Sequence, residues 1–233
     1  PNGSGKSPLL GVLSGAVEPT AGTVRYAHGS QAGDRGDKRI GYLPQRVPFR
    51  DAFTARETLG FYAALVDDDP DTALTDVGLA DAGGRRVGAL SGGMRRLLGI
   101  AQATLGDPTV AVLDEPTSGL DPEMRERAFR AAAARANDNT AVVVSSHDLD
   151  LVDAYADDLI VLDRGQVVAS GPSDRLLADH GVDDVRELYR VVVGDGANVK
   201  NDPETDDSEE GGGSEDTDEL AQTSVHVNGV SNR

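Results

Sequence analysis

The sequence has no cysteine and no tryptophan. The first absence removes disulfide cross-links and thiolate metal sites, so the core must hold by packing. Lysine is nearly missing too: Lys6, Lys38 and Lys200 are the three in the chain. Basic residues number 22 against 40 acidic ones, and the formal net charge is −18. So negative a surface repels a phosphodiester backbone, and the chain is read as binding no nucleic acid. No run of 18 apolar residues occurs, so no segment reads as a membrane-spanning helix. The first residues also lack the charged-then-apolar pattern of a secretory signal. The expectation is a cytoplasmic protein whose membrane association, if any, runs through a partner.

What is present suits one α/β domain followed by a tail. The chain has 233 residues, 38% of them hydrophobic, enough for a core of ordinary size. The acidity is not confined to the tail, because Asp67-Asp68-Asp69 lies well inside the domain. Dense acid with scarce lysine fits a protein that folds in concentrated salt, where screening relieves self-repulsion.

The chain opens on Pro1-Asn2-Gly3-Ser4-Gly5-Lys6-Ser7, which matches the last seven positions of a phosphate-binding loop, G-x-x-x-x-G-K-[ST]. Gly3 and Gly5 let the backbone curl so that N–H groups point inward at an anion. A helix beginning near Lys6 adds its positive end. Lys6 can reach β- and γ-phosphates, and the Ser7 hydroxyl can ligate Mg²⁺. Pro8 is tolerated in a first helical turn but offers no N–H to a phosphate. With no initiator Met and no strand ahead of the loop, the sequence reads as a fragment or a chain with a misassigned start.

Further along, helical spacing runs over residues 6–15, and Thr23–Tyr26 reads as a short strand before a polar loop at 27–38. Ile40–Leu43 reads as a second strand, stopped by Pro44 and followed by Gln45. Thr54 and Glu57 have the spacing of a capping box, opening a helix through about Leu65. A further helix is expected at 71–77, and another after Leu90-Ser91-Gly92-Gly93, closing at Gly106-Asp107-Pro108. Thr109–Leu113 and Thr140–Val144 are continuous apolar runs, as strands buried on both faces require. Pro122 opens a helix running to Ala136. A short helix at Leu149–Ala154 precedes a hairpin of Asp158–Leu162 and Gln166–Ala169, turning at Arg164-Gly165. Helices near 173–179 and 183–190 end the folded part. Residues 1–193 are expected to form the domain, with a helical subdomain at about 50–105. Residues 194–233 are too polar and acidic to offset their ordering entropy and are expected to be a disordered acidic tail.

Alternation of strand and helix puts polar groups at the carboxyl ends of buried strands, where α/β folds bind ligands. Asp114 is suited to holding Mg²⁺ through water, and Glu115 to taking a proton from an attacking water. His147 ends the next strand, within reach of a γ-phosphate. Gln45 can orient water or metal.

Taken in order, Pro1–Ser7, Tyr42-Leu43-Pro44-Gln45, Leu90-Ser91-Gly92-Gly93-Met94, the run Leu113–Asp121 and Ser146-His147-Asp148 resemble the nucleotide-binding subunit of ABC transporters. The likeness covers residues 1 to about 180. The Ser-Gly-Gly-Met-Arg-Arg variant and the stretch Phe53–Leu59 are most similar to the ABC-2-type exporters and the copper-maturation type. The resemblance implies a P-loop NTPase fold, a mostly parallel sheet flanked by helices, and ATP with Mg²⁺ as cofactors. It implies that Asn2, Gly3, Ser4, Gly5, Lys6 and Ser7 cradle the phosphates. Ser7, Gln45 and Asp114 would serve the metal, Glu115 would be the general base, and His147 would sense the γ-phosphate. Gln45 would also link nucleotide state to the membrane subunit. Ser91, Gly92 and Gly93 would cap ATP bound to a second nucleotide-binding domain, identical or related, with Asp121 touching that partner. A membrane permease would dock on the insert at 50–90 and hold the subunit at the inner face of the membrane. The likeness also leaves two other readings: a truncated or inactive ABC fragment, and a soluble ABC ATPase without a transport role.

The acidic composition makes salt the first test. The thermal midpoint of the protein should rise between low salt and molar KCl. An unchanged melt contradicts the salt-adapted reading.

Overall fold

A computed structural model of the chain describes residues 4–24, 40–137 and 139–194. The expected strand at 23–26 therefore lies half outside the described residues; Thr23 and Val24 carry no strand pairing. The loop at 27–38 and the acidic tail from residue 195 onward also lie outside them.

Three strands, β1 (Ile40–Leu43), β2 (Val110–Asp114) and β3 (Ala141–Ser145), form a parallel sheet in the order β1-β2-β3. The register aligns Leu43 with Leu113, Leu113 with Val144, and Asp114 with Ser145. The carboxyl ends of all three strands therefore finish side by side. Ala111, Val112 and Leu113 are buried, as the unbroken apolar run predicts. Helix α1 (Lys6–Leu13) lies against β2. Pro8 does not disturb it, because it falls in the first turn, where no intrahelical N–H is required.

The helical insert lies between β1 and β2. Helix α2 (Ala55–Val66) begins at a complete capping box. The Thr54 hydroxyl accepts from the Glu57 N–H at 3.1 Å, and the Glu57 carboxylate accepts from the Thr54 N–H at 2.8 Å. Those bonds hold the Glu57 carboxyl below its usual range, the backbone N–H of Thr54 being the larger cause. Asp69 caps α3 (Pro70–Asp76), with Pro70 in the first turn. The chain returns beside its own start, where Thr54 bridges Arg86 and the Val87 N–H donates to the Phe53 carbonyl at 2.8 Å. Helix α4 (Gly92–Ala103) then runs back to the sheet. Leu59, Leu74, Leu97, Leu98 and Ile100 join Leu43 and Leu113 in one core, so insert and sheet share their burial. The closest approach is at Gly41, where any Cβ would stand 1.6 Å from the Ala103 carbonyl oxygen. Only glycine fits there.

Helix α5 (Pro122–Ala133) stops three residues before the expected end. The Asn137 side-chain oxygen accepts from the N–H groups of Asn139 and Thr140, and that turn ends the helical path. Past β3, helix α6 (Leu149–Tyr155) leads to an antiparallel hairpin of β4 (Asp158–Asp163) and β5 (Gln166–Pro172). Arg164 and Gly165 both take positive φ, 47° and 81°, which suits the mirror-image turn a tight hairpin favours. Helices α7 (Ser173–His180) and α8 (Val185–Gly194) close a second, smaller core around Leu159, Leu176, Val185 and Leu188.

Thr54→Ala removes the hydroxyl that accepts from the Glu57 N–H and also donates to the Glu57 carboxylate at 3.0 Å. It should cost about 1 kcal/mol in denaturant unfolding, with the α2 amides losing exchange protection first. The Glu57 carboxyl is held low in the fold, so what it contributes to stability is present at neutral pH and lost as acid titrates it. The gap between Thr54→Ala and the parent should therefore narrow in acid.

Candidate phosphate-binding and hydrolytic site

The aligned strand ends gather four polar side chains. Asp114 is the last residue of β2 and is 2% exposed. A buried carboxylate needs partners, and Ser145, the last residue of β3, supplies one: its hydroxyl donates to Asp114 Oδ1 at 2.7 Å. The same hydroxyl accepts from the Glu115 N–H at 2.9 Å. The Glu115 side chain reaches His147, with Nδ1 and Oε2 2.7 Å apart. His147 is largely exposed while Glu115 is buried, so the imidazole forms the solvent edge of the pair.

Glu115 carries the strained backbone of the site. Its φ is +49°, a left-handed conformation that costs a non-glycine residue roughly 1–2 kcal/mol. Such outliers persist where the surroundings over-determine them, and they cluster at functional sites. The Ser145 hydroxyl holds the Glu115 N–H, and the Arg96 guanidinium donates to its carbonyl at 2.8 Å. Arg96 also donates to the Pro44 carbonyl at 3.1 Å, next to the exposed Gln45.

On the loop side, Gly5 precedes α1 with φ +92°, a value that favours glycine. Ser4 is buried, and Lys6 Nζ donates to its hydroxyl at 3.3 Å. The Ser4 carbonyl accepts from the Gly165 N–H at 3.0 Å, which ties the β4–β5 hairpin to the loop. Asn2 and Gly3 lie outside the described residues. Ser7 is the second residue of α1.

The remaining expected residues stand at two helix starts. Ser91 caps α4 by accepting from the Met94 N–H at 3.2 Å, and Asp121 caps α5 by accepting from the Met124 N–H at 3.0 Å. The two helices meet closely: a Cβ on Gly93 would lie 2.6 Å from the Met124 methyl carbon. Gly92 is exposed, with open space where a Cβ would sit. The carboxyl ends of the strands thus lead into Gln45, Asp114, Glu115 and His147, while Ser91, Gly92, Gly93 and Asp121 belong to the α4–α5 corner.

Sequence reasoning assigned no role to Ser145 or Arg96. Ser145 was readable as the end of an apolar strand, but its pairing with Asp114 depends on register. Arg96 had one signal. It falls one turn before Ile100 on the face of α4 that packs inward, an unusual place for a cation unless carbonyls receive it.

No group of three or more His, Cys, Asp or Glu able to enclose a metal occurs among the described residues. Mg²⁺ takes one or two carboxylates and completes its shell with water and phosphate oxygens. Asp114, Ser7 and Gln45 carry oxygen donors of the kind it takes.

A glycine-turned loop opening a helix, a carboxylate pair at the end of a buried strand and a histidine just past the next strand define an α/β protein of the phosphate-loop class. A family model described as "ABC transporter" matches residues 1–118, half of the chain. The chain belongs to the ABC transporter family. It is 39% identical over 191 residues to the hemin import ATP-binding protein HmuV of Nocardia farcinica, covering 76% of this chain and 66% of that protein. It is 33% identical over 214 residues to the daunorubicin resistance ATP-binding protein DrrA3 of Streptomyces coeruleorubidus, covering 85% and 66%. The chain thus spans just under two thirds of the length of these curated relatives. Among solved structures, the ATP binding subunit of an ABC transporter superposes with a TM-score of 0.68 at 24% identity, covering 83% of this chain and 85% of that one. The fold is that of an ABC ATPase.

Ser145→Ala would leave the Glu115 N–H and one Asp114 oxygen buried without their partner. The expected loss is about 1–3 kcal/mol in denaturant unfolding. A loss under a few tenths would mean that water replaces the hydroxyl at no cost.

Proposed function

We propose that this chain is the ATP-binding and ATP-hydrolysing subunit of an ABC transporter, driving movement of a substrate through a separate membrane permease. The observation that carries this reading is the buried Glu115 carboxylate, held 2.7 Å from His147 beside Asp114, at the carboxyl end of the central strand that α1 packs on. Gly3, Ser4, Gly5 and Lys6 would wrap the β- and γ-phosphates, with Asn2 extending the cradle and the positive end of α1 facing them. Mg²⁺, which offsets phosphate charge, would be held by Ser7, Gln45 and Asp114. Glu115 accepts the proton of the attacking water. His147 holds the Glu115 carboxylate in place and stands where a γ-phosphate would be sensed. Catalysis by such a site is positioning plus electrostatic stabilisation, since phosphoryl transfer to water needs little covalent help from protein.

The second half of each ATP site would come from another nucleotide-binding domain, identical or related. Ser91 and Gly92 stand exposed at the start of α4, with Gly93 packed beneath them against Met124, and the N–H groups of that helix start would cap a partner's γ-phosphate. Asp121 starts the neighbouring helix and would touch the partner across the same face. The permease would dock on the insert. A cleft of about 360 Å³ lined by Tyr42, Tyr62, Leu65 and Val66 opens there, and Phe61 and Leu65 stand exposed on α2. No helix among the described residues is long and apolar enough to cross a membrane. The subunit would be held at the inner face of the membrane through that partner. The permease would choose the cargo, and the relatives' names range from hemin import to daunorubicin resistance.

Glu115→Gln keeps the shape and hydrogen-bonding reach of the side chain but removes the base. In the full-length protein, ATP turnover should fall about 100-fold or more while ATP binding persists. Turnover within about twofold of the parent would contradict the role given to Glu115.

A further inference from the structure

We infer that Arg96 is a positioning residue for ATP hydrolysis, a guanidinium clamp that sets Gln45 and Glu115 together and ties both to helix α4. The inference rests on the ATPase reading above and deepens it. Arg96 is buried on α4, and its two terminal nitrogens diverge onto two carbonyls that belong to different strand ends. Nη1 donates to Pro44 at 3.1 Å, and Nη2 donates to Glu115 at 2.8 Å. The Pro44 carbonyl shares a rigid peptide plane with the Gln45 N–H, so holding one orients the other. The Glu115 carbonyl lies on the residue whose backbone is left-handed at φ +49°. With the Ser145 hydroxyl on the Glu115 N–H, Arg96 completes a grip on both polar groups of that residue.

Electrostatics point the same way. Burial lowers the affinity of the Arg96 guanidinium for its proton, and the carboxylates of Asp114 and then Glu115 oppose that effect. Arginine stays charged regardless, so the clamp places a permanent cation behind two buried acids. It is at the same time fixed to the helix that begins at Ser91, Gly92 and Gly93. A displacement of α4 against the sheet therefore moves the backbones of Gln45 and Glu115 together. Lysine cannot replace it, because one ammonium lacks the planar fork that reaches two separated carbonyls.

The test uses the full-length protein in complex with its permease, with Arg96→Lys and Arg96→Met measured beside the parent and Glu115→Gln. The expected result is a split. The KM for ATP stays within about twofold, while kcat falls roughly 100-fold in Arg96→Met and by a smaller factor in Arg96→Lys, which keeps the charge. Melting temperatures of Arg96→Lys and the parent should agree to within a few degrees, so that the loss of kcat is not a loss of folded protein. Unchanged kcat in a folded Arg96→Met overturns the inference. Failure of both variants to fold also overturns it, by assigning Arg96 to stability alone. If the parent itself shows no turnover that Glu115→Gln removes, the ATPase reading fails first and takes this inference with it.

Discussion

Two carboxylates buried side by side at the end of one strand set the demands that the neighbouring structure meets. Asp114 and Glu115 are 2% and 6% exposed. Desolvated charge is costly unless hydrogen bonds and counter-charge offset it. The partners come from three directions. Ser145 donates its hydroxyl to Asp114 from β3, His147 sets its imidazole on Glu115 from the loop beyond β3, and Arg96 on α4 places a cation nearby while bonding the Glu115 carbonyl. Each depends on the parallel register that stops the strands side by side. A one-residue slip of β3 that put Val144 opposite Asp114 would set an apolar side chain against the carboxylate and turn the Ser145 hydroxyl to the other face of the sheet. The shared core of the insert and the sheet serves the same end, because it fixes α4 where Arg96 can reach both carbonyls.

The proposed chemistry draws on that arrangement. A general base must sit in fixed geometry near the water it activates, and Glu115, the base proposed above, is held at its N–H, its carbonyl and its carboxylate. The left-handed backbone at Glu115 is stable only because those bonds surround it. The exposed parts of the proposed machinery, Gln45, His147, Ser91 and Gly92, are the ones that need an incoming nucleotide or partner. Rigid groups thus lie inside and waiting groups lie outside.

Much of this was readable in the chain. The apolar runs before Asp114 and Ser145 announced two parallel strands; β2 is buried as expected, whereas Ala141–Val144 of β3, the end strand of the described sheet, are only partly buried. Thr54 and Glu57 announced the start of α2, since a capping box is local and needs three residues of spacing. Gly5-Lys6-Ser7 announced a loop opening a helix. What stayed hidden depends on long-range contact. Gly41 looks like an ordinary strand glycine until Ala103 of α4 is found against it. Arg96 looks like one of a pair of surface arginines until Pro44 and Glu115, 52 and 19 residues away, are found at its fork. The end of α5 was misplaced because alanine and arginine carry helical propensity through residue 136, while the Asn137 turn overrides it.

Pairing is where the account is most exposed. Sedimentation equilibrium of the full-length protein carrying Glu115→Gln, in molar KCl with Mg²⁺, compares the mass with and without ATP. The account predicts a monomer without nucleotide and a dimer holding two ATP molecules with it. A protein that binds ATP to saturation and stays monomeric, with and without its permease, would contradict the proposed closure of Ser91, Gly92 and Gly93 over a partner's nucleotide.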